Sequence, residues 1–116
     1  MNVFEMAQLL SKQKQSDSPY LEFLKVPALS CGVYVLETGA HDYQKPHGED
    51  ELYYVASGRA RMIVDEGGTS NAFEVGPGSI MYVRAGVRHS FYQIAERLVV
   101  LVFFAPAEGS RKTTAA

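Results

Sequence analysis

From Tyr20 onward, short runs rich in Val, Tyr, Phe, Ile and Leu are interrupted by glycine and proline, and this punctuation limits the fold more than any other feature. The breaks fall at Val26-Pro27, Gly39 to Gly48, Gly58, Asp65 to Ser70, Gly76-Pro77-Gly78, Ala85-Gly86 and Ala95-Glu96. Between them the pattern predicts strands near Tyr20–Lys25, Leu29–Glu37, Glu51–Ser57, Ala60–Val64, Ala72–Val75, Ser79–Val83, His89–Ile94 and Leu98–Phe104. About eight short strands with turn signals every ~8–12 residues predict an all-β sandwich or barrel.

Ahead of the strands, Val3, Met6, Ala7 and Leu10 recur at helical spacing, so a short amphipathic helix is expected from Asn2 to about Gln13, with Asn2 as its N-cap. The expected organisation is a helix and linker over residues 1–19, a barrel over 20–106 and a flexible tail over 107–116, where little is left to bury. A chain of 116 residues suits one domain. The net charge of −2 and the lack of any basic block beyond Arg111-Lys112 give no electrostatic case for nucleic acid. The longest apolar run, Leu98 to Pro106, is about half of what a membrane span needs. Cys31 is the sole cysteine and is expected to be an inert core residue. With no basic, apolar leader at the N-terminus and no disulfide framework, the expected location is the cytoplasm.

Two stretches carry the chemistry: GAHDYQKPHGEDELYYVASG, from Gly39 to Gly58, and GSIMYVRAGVRHSFYQ, from Gly78 to Gln93. The first places His47 and Glu51 ahead of a strand-like run, and the second places His89 at the head of another. Two imidazoles and a carboxylate brought together hold one face of an octahedral metal and leave other positions open. Period-two alternation puts Glu51, Tyr53, Val55 and Ser57 on one face of their strand, and His89, Phe91 and Gln93 on one face of theirs. If those faces line a barrel, the Glu51 carboxylate needs a partner or a metal.

The spacing His47, three residues, Glu51, six residues, Gly58 resembles the first motif of the cupin superfamily. The spacing Gly78, five residues, Arg84-Ala85-Gly86, two residues, His89 resembles the second. The similarity runs from about Leu29 to Phe104 and implies a jelly-roll barrel, a double-stranded β-helix, with His47, Glu51 and His89 as metal ligands. Three positions depart from that pattern. Lys45 stands where such proteins usually carry the first histidine of the first motif, Arg84 replaces a proline and Gln93 replaces an asparagine. A fourth ligand is left open between Gln44, which several cupins use, His41 and water. Lysine is a poor ligand, because it must first lose a proton against a reference pKa of about 10.4.

Lys45, Tyr53, Arg59, Arg61, Phe91 and Gln93 are candidate substrate contacts. Arg59 and Arg61 share one strand face and suit a bidentate grip on a carboxylate. Arg84, Tyr43 and Tyr82 are weaker candidates. The resemblance implies one divalent transition metal, Fe, Mn, Ni or Zn, and a small-molecule ligand. It implies most directly a non-haem metal dioxygenase, with an isomerase or decarboxylase, or a non-catalytic ligand-binding module, as alternatives. An apolar helix and first strand without an evident place inside one small barrel, together with family habit, imply a homodimer.

Overall fold

The computed structural model describes residues 1–111 and has the expected all-β architecture, with one short helix ahead of it. The elements are α1 (Met6–Gln15), β1 (Tyr20–Val26), β2 (Leu29–Leu36), β3 (Asp50–Glu66), β4 (Thr69–Val75), β5 (Ile80–Val83) and β6 (Arg88–Ala105). They form one antiparallel sheet in the order β1-β2-β6-β3-β4, with β5 paired to the first half of β3. Two pairs of expected strands are fused. Gly58 and Ala95-Glu96 do not end their strands, because the β3–β6 ladder continues across both, from Asp50 opposite Ala105 to Asp65 opposite Arg88.

That long ribbon is what builds the site. Glu51 lies at one end, and Val64, the partner of His89, lies thirteen residues further along β3. In a straight ribbon the two would stand about 40 Å apart at ~3.3 Å per residue. Glu51 Oε1 and His89 Nε2 are in fact 2.9 Å apart. The ribbon therefore folds over on itself, and the register slips three times between Val55 and Arg61 show where. Gly58 sits in this corner at φ +92°, and a Cβ there would lie 2.1 Å from the Arg97 carbonyl oxygen, so only glycine fits. On the facing strand Gln93 takes the left-handed region at φ 47°.

The corner also reverses which residues face inward. On β3 the buried positions are Glu51, Tyr53 and Val55 before it, then Ala60 and Met62 after it. On β6 they are His89 and Phe91 before Gln93, then Ile94, Leu98, Val100, Val102 and Phe104. Simple alternation misplaces Ser57 and Gln93, which are exposed, and the change of parity at the corner sends Arg59 and Arg61 outward.

Two apolar clusters result. The barrel interior is filled by Tyr53, Met62, Phe91, Leu98, Phe104 and their neighbours. A second cluster lies outside the sheet, where Leu9 with Met6 and Leu10 of α1 covers Val33, Val35 and Val99. The helix begins later than expected, after Glu5 in extended conformation with no side-chain cap, so Asn2 is not its N-cap. The reason is packing: the extended N-terminus brings the Phe4 ring to 4.8 Å from Phe23 on β1. Val3 and Ala7 face solvent, and the buried stripe is Met6, Leu9, Leu10 and Gln13. The helix thus folds over its own barrel.

Residues 107–111, expected to fray, are tied down. Glu49 is 2% exposed, and its carboxylate accepts the backbone N–H groups of Gly109 and Arg111 at 3.2 and 2.9 Å. The Ala107 N–H donates to Pro27 O and the Glu108 N–H to Ser30 Oγ. A buried carboxylate with few other partners captures the segment. The remainder of the expected tail, residues 112–116, lies outside the described residues.

Candidate metal centre

The loop between β2 and β3 carries His47 and is clamped at several points to the head of β6. The Gly86 N–H donates to the His47 carbonyl at 2.7 Å, and the Ala85 N–H to Asp50 Oδ1 at 2.9 Å. Asp42 accepts the Tyr34 hydroxyl, the Gln44 amide and the Phe91 N–H, so three segments meet on one carboxylate. These bonds bring the loop bearing His47 beside the strand bearing His89.

Glu51 and His89 meet in the barrel interior with side chains 1% exposed. The Nδ1–H of His89 donates to Val87 O at 2.9 Å, which turns Nε2 inward toward Glu51 Oε1 at 2.9 Å and the Tyr53 hydroxyl oxygen at 2.8 Å. The approach to Glu51 is a charge contact rather than an aligned hydrogen bond, for both Glu51 oxygens lack a hydrogen-bond partner. Burial acts against charge on His89, but Glu51, the Val87 carbonyl and Asp42 outweigh it and hold the imidazole above its ordinary pKa. Tyr53 is held well above the usual phenol range by burial and by Glu51, so it stays protonated. Its hydroxyl donates to Gln44 Oε1 at 2.9 Å.

His47 stands slightly apart. Its ring centroid is 6.3 Å from that of His89 and 4.7 Å from that of Phe104. Its Nδ1 lies 3.4 Å from Glu108 Oε2, and its Nε2 is buried with no partner. Among the described residues, no group of three or more His, Cys, Asp or Glu side chains closes on a point that would hold a metal ion. Glu51 and His89 are in reach of one another, and His47 is drawn aside toward Glu108.

The donor set nevertheless suits a metal ion. Each of the two histidines has Nδ1 against an oxygen and leaves Nε2 facing inward, the orientation in which an outer oxygen fixes a ligating ring. His47 Nε2 and the two Glu51 oxygens are buried polar atoms without partners, and a buried polar atom is costly until it finds one.

Beside these residues opens a cavity of about 280 Å³, lined by Tyr20, Tyr34, His41, Tyr43, Gln44, His47, Glu51, Phe104, Glu108, Pro19 and Val102. Of the candidate fourth ligands, Gln44 lines this cavity with its carbonyl oxygen already taken by Tyr53, and His41 sits at its rim against Tyr43. Tyr53 reaches the site through its hydroxyl, and Phe91 supports it as a packed ring 5.2 Å from Tyr53. The other candidate contacts are elsewhere. Lys45 is exposed and outside the cavity wall. Arg59 faces Glu96 and Arg61 faces Glu74 and Tyr92, both on the outer surface. Arg84 pairs with Glu66, Tyr82 is 64% exposed, and Gln93 points to solvent at the corner.

Sequence reasoning missed four residues of the site. Asp42, Tyr34 and Tyr20 carried no motif, and Glu108 fell in the expected tail. Tyr20 lies across Gly32, where a Cβ would sit 2.1 Å from its ring, so a glycine inside β2 was the one local signal for it.

A family model described as "Cupin domain" matches residues 32–104. An uncharacterized protein of Streptomyces coelicolor is 44% identical over 108 residues, which are 93% of this chain and 99% of that protein. An oxalate decarboxylase of Bacillus subtilis superposes with TM-score 0.66 at 29% identity, over 74% of this chain. The match covers only 22% of the decarboxylase. A Bacillus halodurans protein superposes with TM-score 0.74 at 15% identity, over 97% of this chain and 87% of that one, a likeness of fold alone.

Proposed function

The chain belongs to the cupin superfamily, and from that premise we propose that it binds one divalent transition metal through His47, Glu51 and His89 and acts on a small organic molecule in the adjoining cavity. The observation that carries the reading is the group of buried acceptors without a hydrogen-bond partner, His47 Nε2 and both Glu51 oxygens, with His89 Nε2 in charge contact 2.9 Å from Glu51 Oε1. One structural neighbour is consistent with it, the Bacillus subtilis oxalate decarboxylase, which holds Mn(II) centres. A metal in such a set supplies Lewis-acid or redox chemistry to a chelating ligand.

The chain's own residues supply the rest. Val87 O and Glu108 orient the two imidazoles. Tyr53 holds a proton beside His89, and its hydrogen bond keeps Gln44 Oε1 occupied. A dioxygenase-type reaction is the leading class, and non-catalytic binding of a small ligand is the second reading. We further propose a cytoplasmic homodimer.

The test is metal content. Protein purified without chelator is expected to carry about one equivalent of metal, and His47→Ala, Glu51→Ala and His89→Ala are each expected to lose most of it. Full loading of His89→Ala at low metal concentration would rule out the triad. Oxygen uptake by the loaded protein across a panel of small ligands separates the oxygenase from the binding module.

A further inference from the structure

We propose that the cavity selects a small amine-bearing cation and rejects carboxylates and phosphates. This deepens the reading above, since it takes the same cavity as the ligand site. The wall contains two carboxylates, Glu51 and Glu108, and no Lys or Arg among the described residues. Asp42 stands directly behind it, bonded to the wall residues Tyr34 and Gln44. The two arginines that sequence reasoning offered as a grip for an acid, Arg59 and Arg61, are committed to Glu96 and to Glu74 with Tyr92 on the far surface.

An anion in the metal-free cavity meets no Lys or Arg among the residues of its wall.

The remainder of the wall suits an organic cation. Tyr34, Tyr43 and Phe104 present rings, and aromatic faces attract ammonium groups within about 6 Å. Tyr20 adds a buried hydroxyl with no partner, whose oxygen is free to accept an ammonium N–H. At about 280 Å³ the space suits a small ligand, near the lower end of the roughly 300–1,000 Å³ usual for such sites. Glu108 Oε2 engages His47, and the carboxylate is about one-third exposed, so its other oxygen is the natural acceptor for an N–H.

The experiment compares three ring-matched probes, benzylamine, benzyl alcohol and phenylacetate, by ligand-observed NMR and calorimetry at neutral pH. Both metal-stripped and zinc-loaded full-length protein are used. Benzylamine is expected to bind the metal-stripped protein at least about tenfold tighter than phenylacetate, with benzyl alcohol between, and the zinc-loaded form shows how far an open metal position alters that order. Glu108→Gln is expected to remove most of that preference. Tyr43→Ala, at an exposed rim position, is expected to weaken benzylamine about threefold or more with the fold intact. Tighter or equal binding of phenylacetate to the metal-stripped protein, binding of none of the probes, or an unchanged preference in a folded Glu108→Gln would overturn the proposal. Failure to load zinc with the amine preference intact would remove the metal reading alone. Zinc loading, with a preference for phenylacetate in the metal-stripped form, would remove this one alone.

Discussion

His89 and Glu51 define the behaviour of the site at the scale of single residues. In the metal-free protein the raised pKa of His89 means that its pairing with Glu51 stabilises the fold while the ring is protonated. The sign follows from linkage: the contribution is full below the unfolded value near 6.5 and is lost as pH rises through the higher folded value. Urea midpoints measured with chelator present are therefore expected to fall from about pH 6 upward, and His89→Gln is expected to lack that slope. Equal slopes in the two proteins would exclude a protonated pair. Metal binding runs the opposite way, because imidazole must be neutral to ligate. The residues of this pair were legible from motif spacing alone. Asp42 and Glu108 were not, because what makes them part of the site is contact with segments 49 and 61 residues away, at Phe91 and His47 respectively. No local pattern records such contacts.

Elements were read well where periodicity was uninterrupted and poorly where the backbone changed phase. The expected β1, β2 and β5 fall within a residue or so of their observed bounds. The long strands were each read as two because glycine at 58 and Ala95-Glu96 look like stops, whereas in a corner they are bends that keep the ladder. The parity change at Gln93 depends on a left-handed backbone that glutamine rarely adopts, so nothing in its side chain announces it. For α1 the spacing was legible but the buried stripe was displaced, since the helix register is set by what it covers. Leu9 is 6% exposed over Val33, Val35 and Val99. Leu9→Ala is expected to cost about 2–4 kcal/mol in denaturant unfolding, as for other large-to-small core changes. A cost within about 0.5 kcal/mol, typical of surface sites, would show that the helix does not pack there in solution.

The whole molecule leaves one patch of its outer surface apolar. Leu52 and Tyr54 on β3 and their register partners Tyr82 and Ile80 on β5 are all at least 39% exposed, although α1 already covers the neighbouring outer surface. The homodimer we propose accordingly has no need of the helix, and this second face is the one that remains to be covered. Light scattering at about 0.1 mM is expected to give twice the 12.8 kDa mass of one chain, and Tyr82→Glu to reduce it to one. A single-chain mass for the unaltered protein would reject the dimer. Among the described residues no helix is long and apolar enough to cross a membrane.

The folded-over ribbon has a kinetic consequence. Glu51 and His89 are neighbours only once the β3–β6 strand pair has closed on itself at its corner, so the pocket between them is expected to form late in folding. Contacts of such long sequence separation contribute little until the chain ends are already in place. A cation added to the protein should therefore act on escape from the native state and not on arrival. In stopped-flow denaturant experiments the unfolding limb is expected to slow with added zinc while the refolding limb stays put. Acceleration of refolding would mean that the two donors meet early, before the corner at Gly58 has formed.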